Sequence, residues 1–304
     1  VFGFNYFYFG EIVNHTITAK KIAYKNLIQN NSFEHLLIQW AYYGGLIKKY
    51  SMLTVFLFLA FLSFLGYISF KIFKDQKNIP CERTIILLAI LVFAVAKISI
   101  FSYFKAYFDW YYWLPRVFMF ALVLYYFLHF SPLNKKVLIP LIFVFISGLY
   151  LFQMLQSYTI GYMEKRQRMQ IAADINSNKT GEKNSILLEP AGIIPFYTNL
   201  YTYDEVGLVN KRINDEMMND EKFWWINSVK KFQPNYILTI SKQPGILPGM
   251  YEMNAEDEVK FHQNYELLKK YPIAKIHENA PELLRWIYKI RPIGKDYYLY
   301  KKVK

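Results

Sequence analysis

The sequence has a single cysteine, Cys81, which excludes disulfides within the chain and cysteine-rich metal sites. It also lacks a glycine-rich phosphate loop, internal repeats and low-complexity linkers. His129, His262 and His277 stand singly, without the spacing of metal ligands. The sequence therefore predicts no metal site and no cofactor of its own, and a divalent cation would have to be held by residues outside this chain.

A polybasic arm is missing as well, although the net charge is +13. Residues 1–155 contain fourteen basic and five acidic side chains, whereas residues 156–304 contain twenty-two basic and eighteen acidic ones. The second half is therefore nearly balanced, as expected for a soluble surface. No basic and aromatic recognition module is visible, so a nucleic-acid partner is not expected.

Long apolar runs, by contrast, are abundant, and hydrophobic residues make up 54% of the chain. A run of about 18 or more apolar residues is long enough to cross the hydrocarbon core of a bilayer as a helix. We predict four such spans, Met52–Ile72, Thr84–Phe104, Trp113–Phe130 and Val137–Leu155. The predicted fold class is an α-helical transmembrane bundle of four helices followed by a small α/β extracytoplasmic domain. The predicted boundaries are residues 1–50 for an extracytoplasmic interfacial segment, 51–155 for the membrane region and 156–304 for the α/β domain.

Charges in the short loops predict the orientation. The end of the first span and the loop after it contain Lys71, Lys74, Lys77 and Arg83, and positively charged short loops stay in the cytoplasm. Residues 1–50 and the C-terminal domain are then expected on the outer face. Lys97 lies inside the second span, where it either extends its ammonium to the interface or faces the bundle interior to meet a lipid phosphate.

The C-terminal half alternates between helical and strand patterns. Two strands are predicted from their β-branched and aromatic content, Ser185–Glu189 and Tyr236–Ile240. Three closing strands are also predicted, Ala274–His277, Trp286–Ile290 and Tyr297–Tyr300, the last two because apolar residues alternate there with polar positions. Its predicted helices are 156–180, Glu205–Asn219, Glu221–Phe232 and Glu256–Tyr271.

Two polar clusters lie next to apolar stretches. Asn14, His15 and Lys20 would suit a phosphate or pyrophosphate at a water–lipid boundary, or would simply face water in an interfacial loop. Asp109 and Arg116 bracket four aromatic rings that begin at Trp110, and this cluster is either an aromatic belt or a site that holds sugar and phosphate together.

A third cluster opens the α/β domain. Glu189 ends one predicted strand and Asp204 follows another, so both carboxylates are expected at one edge of a sheet. Each would either accept hydrogen bonds from sugar hydroxyls or cap backbone N–H groups.

These clusters resemble, in order, three motifs of GT-C-type bacterial glycosyltransferases, such as cell-wall arabinofuranosyl- and mannosyltransferases. Gly10, Thr16, Ala19 and Lys20 match the loop pattern G-x-x-x-P-N-T-x-x-A-K, while Asn14 and His15 replace its proline and asparagine. The second cluster is similar to a W-Y-x-x-P element. The third is similar to E-x-x-G-x-[IL]-x-[YF]-Y followed by D-x-x-G-L, and its matching residues are Glu189, Gly192, Tyr197, Asp204 and Gly207.

The resemblance implies that the chain is the C-terminal portion of an enzyme in the bacterial plasma membrane. Such an enzyme would move a sugar from a polyprenyl-phosphate donor to a cell-envelope glycan, lipid or protein on the outer face. Lys20 and Arg116 are the implied contacts of the leaving phosphate, supported by His15 and Asn14. The family's catalytic acid lies in a first outer loop, which we expect upstream of Val1, so the chain is expected to be inactive alone.

Two other classes stay open. One is a non-enzymatic, membrane-anchored module that binds envelope glycans or a partner protein. The other is a transporter or a polymerase of lipid-linked oligosaccharides, against which stands the scarcity of charged residues well inside the predicted helices, where Lys97 lies.

Overall fold

The computed structural model describes residues 6–7, 15–23, 63, 66–67, 69–70, 74, 81–103, 110–130, 135–179, 184–189, 191–241 and 251–303. The chain divides into two compact units, which are residues 27–148 and the combination of residues 1–26 with 149–304. Their helices are α1 His15–Ala23, α2 Cys81–Tyr103, α3 Trp110–Phe130, α4 Lys135–Asn178, α5 Ile193–Thr198, α6 Lys211–Asn219, α7 Trp224–Phe232, α8 Ala255–Asn264, α9 Ile273–Glu278 and α10 Glu282–Ile290. The strands are β1 Ser185–Leu188, β2 Tyr201–Asp204, β3 Tyr236–Thr239, β4 Tyr265–Tyr271 and β5 Tyr297–Lys302.

In the helical unit, α2 packs against α3 through a narrow apolar stripe. Leu87, Ala94 and Ile98 of α2 are buried with Met119 and Leu122 of α3. Positions that recur at this spacing lie on one face of a helix. The other faces of both helices remain rich in exposed apolar side chains.

Lys97 lies among aromatic rings of its own helix. Its Nζ atom is 5.3 Å from the ring centroid of Phe93 and 5.5 Å from that of Phe101. A cation within about 6 Å of a ring face is attracted by the negative face of the ring. The predicted phosphate contact of Lys97 stays a prediction.

The predicted four-helix transmembrane bundle is wrong. Within the described residues, two helices are long and apolar enough to cross a membrane, Glu82–Tyr103 in α2 and Ile139–Asn178 in α4. The first predicted span, Met52–Ile72, falls largely outside the described residues, and the fourth, Val137–Leu155, is only part of a helix of 44 residues. An apolar run indicates exclusion from water and does not distinguish lipid from protein, so counting such runs overestimates the number of spans.

The second unit contains a five-stranded mixed sheet in the order β2-β1-β3-β5-β4. β1 pairs in parallel with β2 and β3, whereas β5 pairs in antiparallel with β3 and β4. Since parallel strands need a crossover, α5 connects β1 to β2, and α6 and α7 connect β2 to β3. The carboxyl ends of three strands therefore meet at one edge.

Helices cover both faces of this sheet, which is why its central strands are continuously apolar. Along β1, Leu187 faces one core, with Trp225 of α7 and Phe261 of α8. Ile186 and Leu188 face the other core, with Ile171 and Ile175 of α4, among others. The alternation follows from the two-residue period of a strand.

Several predictions for this unit need correction. β1, β3 and β5 lie where strands were predicted, but Ala274–His277 and Trp286–Ile290 are helical, within α9 and α10. The predicted helix Glu256–Tyr271 ends at Asn264 and continues as β4. The predicted helix Glu205–Asn219 begins only at Lys211, because residues 205–210 form a turn.

Candidate functional site at the carboxyl edge of the sheet

The carboxyl edge of β1, β2 and β3 is where an open α/β sheet most often binds a ligand. β2 and β3 lie on opposite sides of β1, so the chain reverses its direction of winding there. Glu189 directly follows β1, Asp204 ends β2, and Glu205 comes next. The prediction that Glu189 and Asp204 share one sheet edge is therefore confirmed.

Asp204 is fully buried and organises the turn that follows β2. Its Oδ1 accepts a hydrogen bond from the N–H of Val206 at 3.0 Å, and its Oδ2 accepts from Leu208 at 2.7 Å and Val209 at 3.3 Å. Burial raises the pKa of this carboxyl, while the three N–H groups act in the opposite direction. The oxygens of Asp204 are thus occupied by the backbone, which favours the structural alternative over sugar binding.

Gly207 in the same turn adopts a backbone conformation that favours glycine, with φ of +76°. A Cβ atom there would lie 2.2 Å from Oδ1 of Asn214, whose Nδ2 donates a hydrogen bond to the carbonyl of Val206. The role of Gly207 is therefore to let the turn pack tightly against α6.

Glu205 is the carboxyl group of this edge whose pKa is shifted most. Its Oε1 accepts a hydrogen bond from Nε1 of Trp225 at 2.9 Å, and its Oε2 lies 3.4 Å from the hydroxyl of Tyr251. Burial, together with the nearby charges of Glu189 and Asp204, raises the pKa of Glu205 to about 8, although the hydrogen bonds from Trp225 and Tyr251 act in the opposite direction. Glu205 is therefore largely protonated at neutral pH, while Glu189 is exposed to solvent.

The first polar cluster is joined to this turn through α1. Nε2 of His15 lies 2.8 Å from the carbonyl oxygen of Gly207, a hydrogen bond between residues 192 positions apart. Ala19 of α1 is fully buried, and Ile22 and Ala23 pack against the core that contains Trp225. Lys20 lies on the same helix and is partly exposed.

The structure does not bring all predicted site residues together. Asn14 and Asp109 lie outside the described residues, while Trp110 and Arg116 belong to α3 in the helical unit. Gly192 precedes α5, where an added Cβ would meet open space. Tyr197 is exposed and contacts the ring of Phe196 edge-on.

Sequence reasoning missed Glu205, Trp225 and Tyr251. An acid directly after Asp204 was a signal for Glu205, but the segment was assigned to a helix. Trp225 and Tyr251 reach Glu205 from separate elements, and a single sequence contains no pattern that pairs them with it. Among the described residues, no group of three or more His, Cys, Asp or Glu side chains is placed to hold a metal ion.

The fold and the site together define an α/β domain with an acidic carboxyl edge, in a chain that also contains membrane-length apolar helices. A family model described as "Domain of unknown function (DUF8728)" matches residues 157–300, which is the stretch from the second half of α4 into β5. The comparisons with curated proteins and with solved structures found no match.

Proposed function

We propose that this chain is part of a membrane-bound glycosyltransferase that moves a sugar from a polyprenyl-phosphate donor to a cell-envelope acceptor. The observation that carries the proposal is the hydrogen bond between His15 and Gly207. It joins the segment that resembles the family's G-x-x-x-P-N-T-x-x-A-K loop to the turn that resembles its D-x-x-G-L element. Two motifs that lie almost 200 residues apart are thereby parts of one structure.

In this proposal the exposed carboxylate of Glu189 accepts hydrogen bonds from sugar hydroxyls at the carboxyl edge. Glu205 stays protonated and fixes Trp225 and Tyr251 behind it. Lys20 supplies the positive charge that stabilises the departing lipid phosphate, as charge-assisted hydrogen bonds do at developing anions. The implied phosphate contact of Arg116, which belongs to the other unit, stays a prediction.

We further propose that the α/β domain lies at the outer face of a bacterial plasma membrane. The length and the apolar composition of α2 and of the first half of α4 support membrane attachment. The outer-face orientation rests on the resemblance to enzymes that act there.

The test is a sugar-transfer assay with the full-length protein in its native membranes. Polyprenyl-phosphate mannose and polyprenyl-phosphate arabinofuranose serve as donors, and incorporation into envelope material is measured. Lys20→Met is expected to lower turnover at least about tenfold, the usual range for a lost charge-assisted contact to a transition state. Lys21→Met is the matched control, because Lys21 is the next residue of α1 and is exposed.

Equal turnover of Lys20→Met and the unmodified protein would contradict the phosphate role. No transfer from either donor to envelope material, with the protein folded, would contradict the proposed function itself for these sugars.

A second candidate is a glycan-binding module without catalysis, and one observation favours it. Of the three acids at the edge, Asp204 and Glu205 are buried and only Glu189 is accessible, whereas Phe196 of α5 and Tyr201, the first residue of β2, present exposed rings. Aromatic faces pack against the C–H surfaces of sugars. Binding of envelope glycans that Phe196→Ala abolishes, without sugar transfer in the membrane assay, would favour this candidate.

A further inference from the structure

Helix α10 leaves one of its two apolar faces uncovered. Leu284 and Tyr288 are buried against α4, together with part of Ile287. Leu283, Trp286 and Ile290 are spaced by three and four residues on the other side and are 57%, 61% and 65% exposed. Side chains at this spacing form one stripe along a helix. An exposed apolar stripe of this kind, with a tryptophan at its centre, indicates a surface that binds another protein or a membrane.

The position of α10 along α4 is fixed by three successive contacts. The hydroxyl of Tyr288 donates to the carbonyl of Thr159 at 2.7 Å. Gly294, in the loop after α10, fits so closely against Met163 that an added Cβ would lie 2.3 Å from its Sδ. Nε2 of Gln167 donates to the carbonyl of Lys295 at 2.9 Å. Tyr288 therefore contacts α4 on the side nearer to the apolar half of that helix.

That apolar half has the length of a hydrocarbon core. The sequence contains no charged side chain between Lys136 and Glu164. At about 1.5 Å per residue, the stretch from Ile139 to Tyr158 is about 30 Å long, which equals the thickness of the core. Thr159 comes next, so the contact with Tyr288 falls at the level of the headgroups when α4 crosses a bilayer.

The charges around the stripe complement an anionic lipid surface. From Glu282 to Asp296 the chain contains four basic residues, all exposed, and two acids at its ends, so the segment has a net charge of +2; the basic residues are Arg285, Lys289, Arg291 and Lys295. Arg285 and Lys289 also line a groove of about 560 Å³ between α9 and α10, beside Trp286, which Glu278 and Glu282 line as well. Cations near an anionic leaflet are attracted to it.

We propose that α10 lies flat on the membrane surface, with Leu283, Trp286 and Ile290 inserted at the interface and the neighbouring cations among anionic headgroups. An amphipathic helix with a basic flank binds in this way. Tryptophan is also enriched at membrane–water interfaces, because its amphipathic ring suits the level of the headgroups. The inference goes beyond the proposed function and does not depend on sugar transfer.

The test places a spin label on the stripe of the full chain in a Cys81→Ser background. The protein is reconstituted into vesicles of phosphatidylcholine and phosphatidylglycerol, and the label is attached at Leu283→Cys. Val259→Cys on α8 is the matched control, because both positions are helical, belong to the same unit and are 57% exposed. Collision of each label with oxygen and with a water-soluble nickel chelate is then measured.

We expect the label at position 283 to be severalfold less accessible to the nickel chelate and more accessible to oxygen than the label at 259. Ile290→Cys, on the same stripe, must behave like Leu283→Cys. Equal chelate accessibility at 283 and 259 would overturn the proposal. Dipolar broadening between labels at 283, which disappears on dilution of the protein in lipid, would overturn it too, since a second copy of the chain would then cover the stripe.

Discussion

The two units of this protein differ in how far their apolar side chains are buried. In the α/β unit, Ile186, Leu187 and Leu188 of β1 are buried on both faces of the sheet by helices of the protein itself. In the helical unit, only 17% of the most apolar stretch of α2 is buried, and Ile85 and Ile86 are both well exposed.

The difference shows that apolar composition and apolar burial are separate properties. The α/β unit closes its core and pairs buried polar groups such as Asp204, whose carboxylate accepts hydrogen bonds from the turn after β2. Burial of apolar surface stabilises that unit in water by about 25 cal/mol per Å². The uncovered faces of α2 and α3 gain nothing of this kind in water, so the stability of the helical unit has to depend on its surroundings.

The largest contrast is expected between two isoleucines. Ile186→Ala removes a fully buried side chain from β1 and should lower the free energy of unfolding of the α/β unit by about 2–5 kcal/mol. Ile86→Ala removes an exposed side chain of α2 and should leave that value unchanged. Pulse proteolysis of the full chain in urea, read on fragments of the α/β unit, measures both. Equal losses of unfolding free energy in the two variants would contradict the difference in burial between the two units.

A second contrast concerns acidity inside the closed core. The pKa of Glu205 is about 8 in the folded chain and about 4.5 when unfolded. The stabilising contribution is therefore fully present below pH 4.5, because both states are then protonated. It is lost as pH rises to about 8, because only the unfolded state releases its proton.

Between pH 5 and pH 8 this loss amounts to about 3 kcal/mol. Glu205→Gln cannot ionise, so its free energy of unfolding should show a shallower pH dependence and exceed that of the unmodified protein at pH 8. Urea unfolding of both proteins across this range measures the difference. Parallel pH profiles would show that Glu205 is already ionised in the fold.

The same contrast explains which features the sequence alone predicts. β1 and β3 are continuous apolar segments bounded by polar residues, and both were located within one residue. Trp286–Ile290 was predicted as a strand on the basis of alternating apolar and polar positions. The buried set of α10, Leu284, Ile287 and Tyr288, follows the helical spacing instead, and the exposed Trp286 belongs to the opposite face.

The candidate site was predictable only where it is local. Glu189 and Asp204 each follow an apolar segment, and the parallel pairing of β1 with β2 brings them to one edge. The contacts of Glu205 with Trp225 and Tyr251 join residues 20 and 46 positions apart. Such contacts depend on how α7 packs against the sheet, which no periodicity encodes.

A smaller difference in stability is expected between alanine substitutions at two glycines of the same predicted motif. Gly207→Ala forces an alanine into a positive φ and drives its Cβ against Asn214, at a cost of about 1–2 kcal/mol or more. It should also loosen α1, whose His15 contacts the Gly207 carbonyl. Gly192→Ala meets open space and has an ordinary φ of −121°, so it is the matched control. Hydrogen exchange of α1 amides checks the prediction, and unchanged protection in Gly207→Ala would contradict it.

The smallest expected effect concerns two ion pairs of the α/β unit, one with a buried carboxylate and one that is fully on the surface. Lys230 pairs with the buried carboxylate of Asp257 at 2.5 Å, whereas Lys260 pairs with Glu256 where both side chains are exposed. Lys230→Gln strips a buried charge of its partner and should lower the free energy of unfolding by about 1 kcal/mol. Lys260→Gln should leave the urea midpoint unchanged, because water and salt screen an exposed pair. A larger loss in Lys260→Gln than in Lys230→Gln would show that burial does not decide how much an ion pair stabilises this domain.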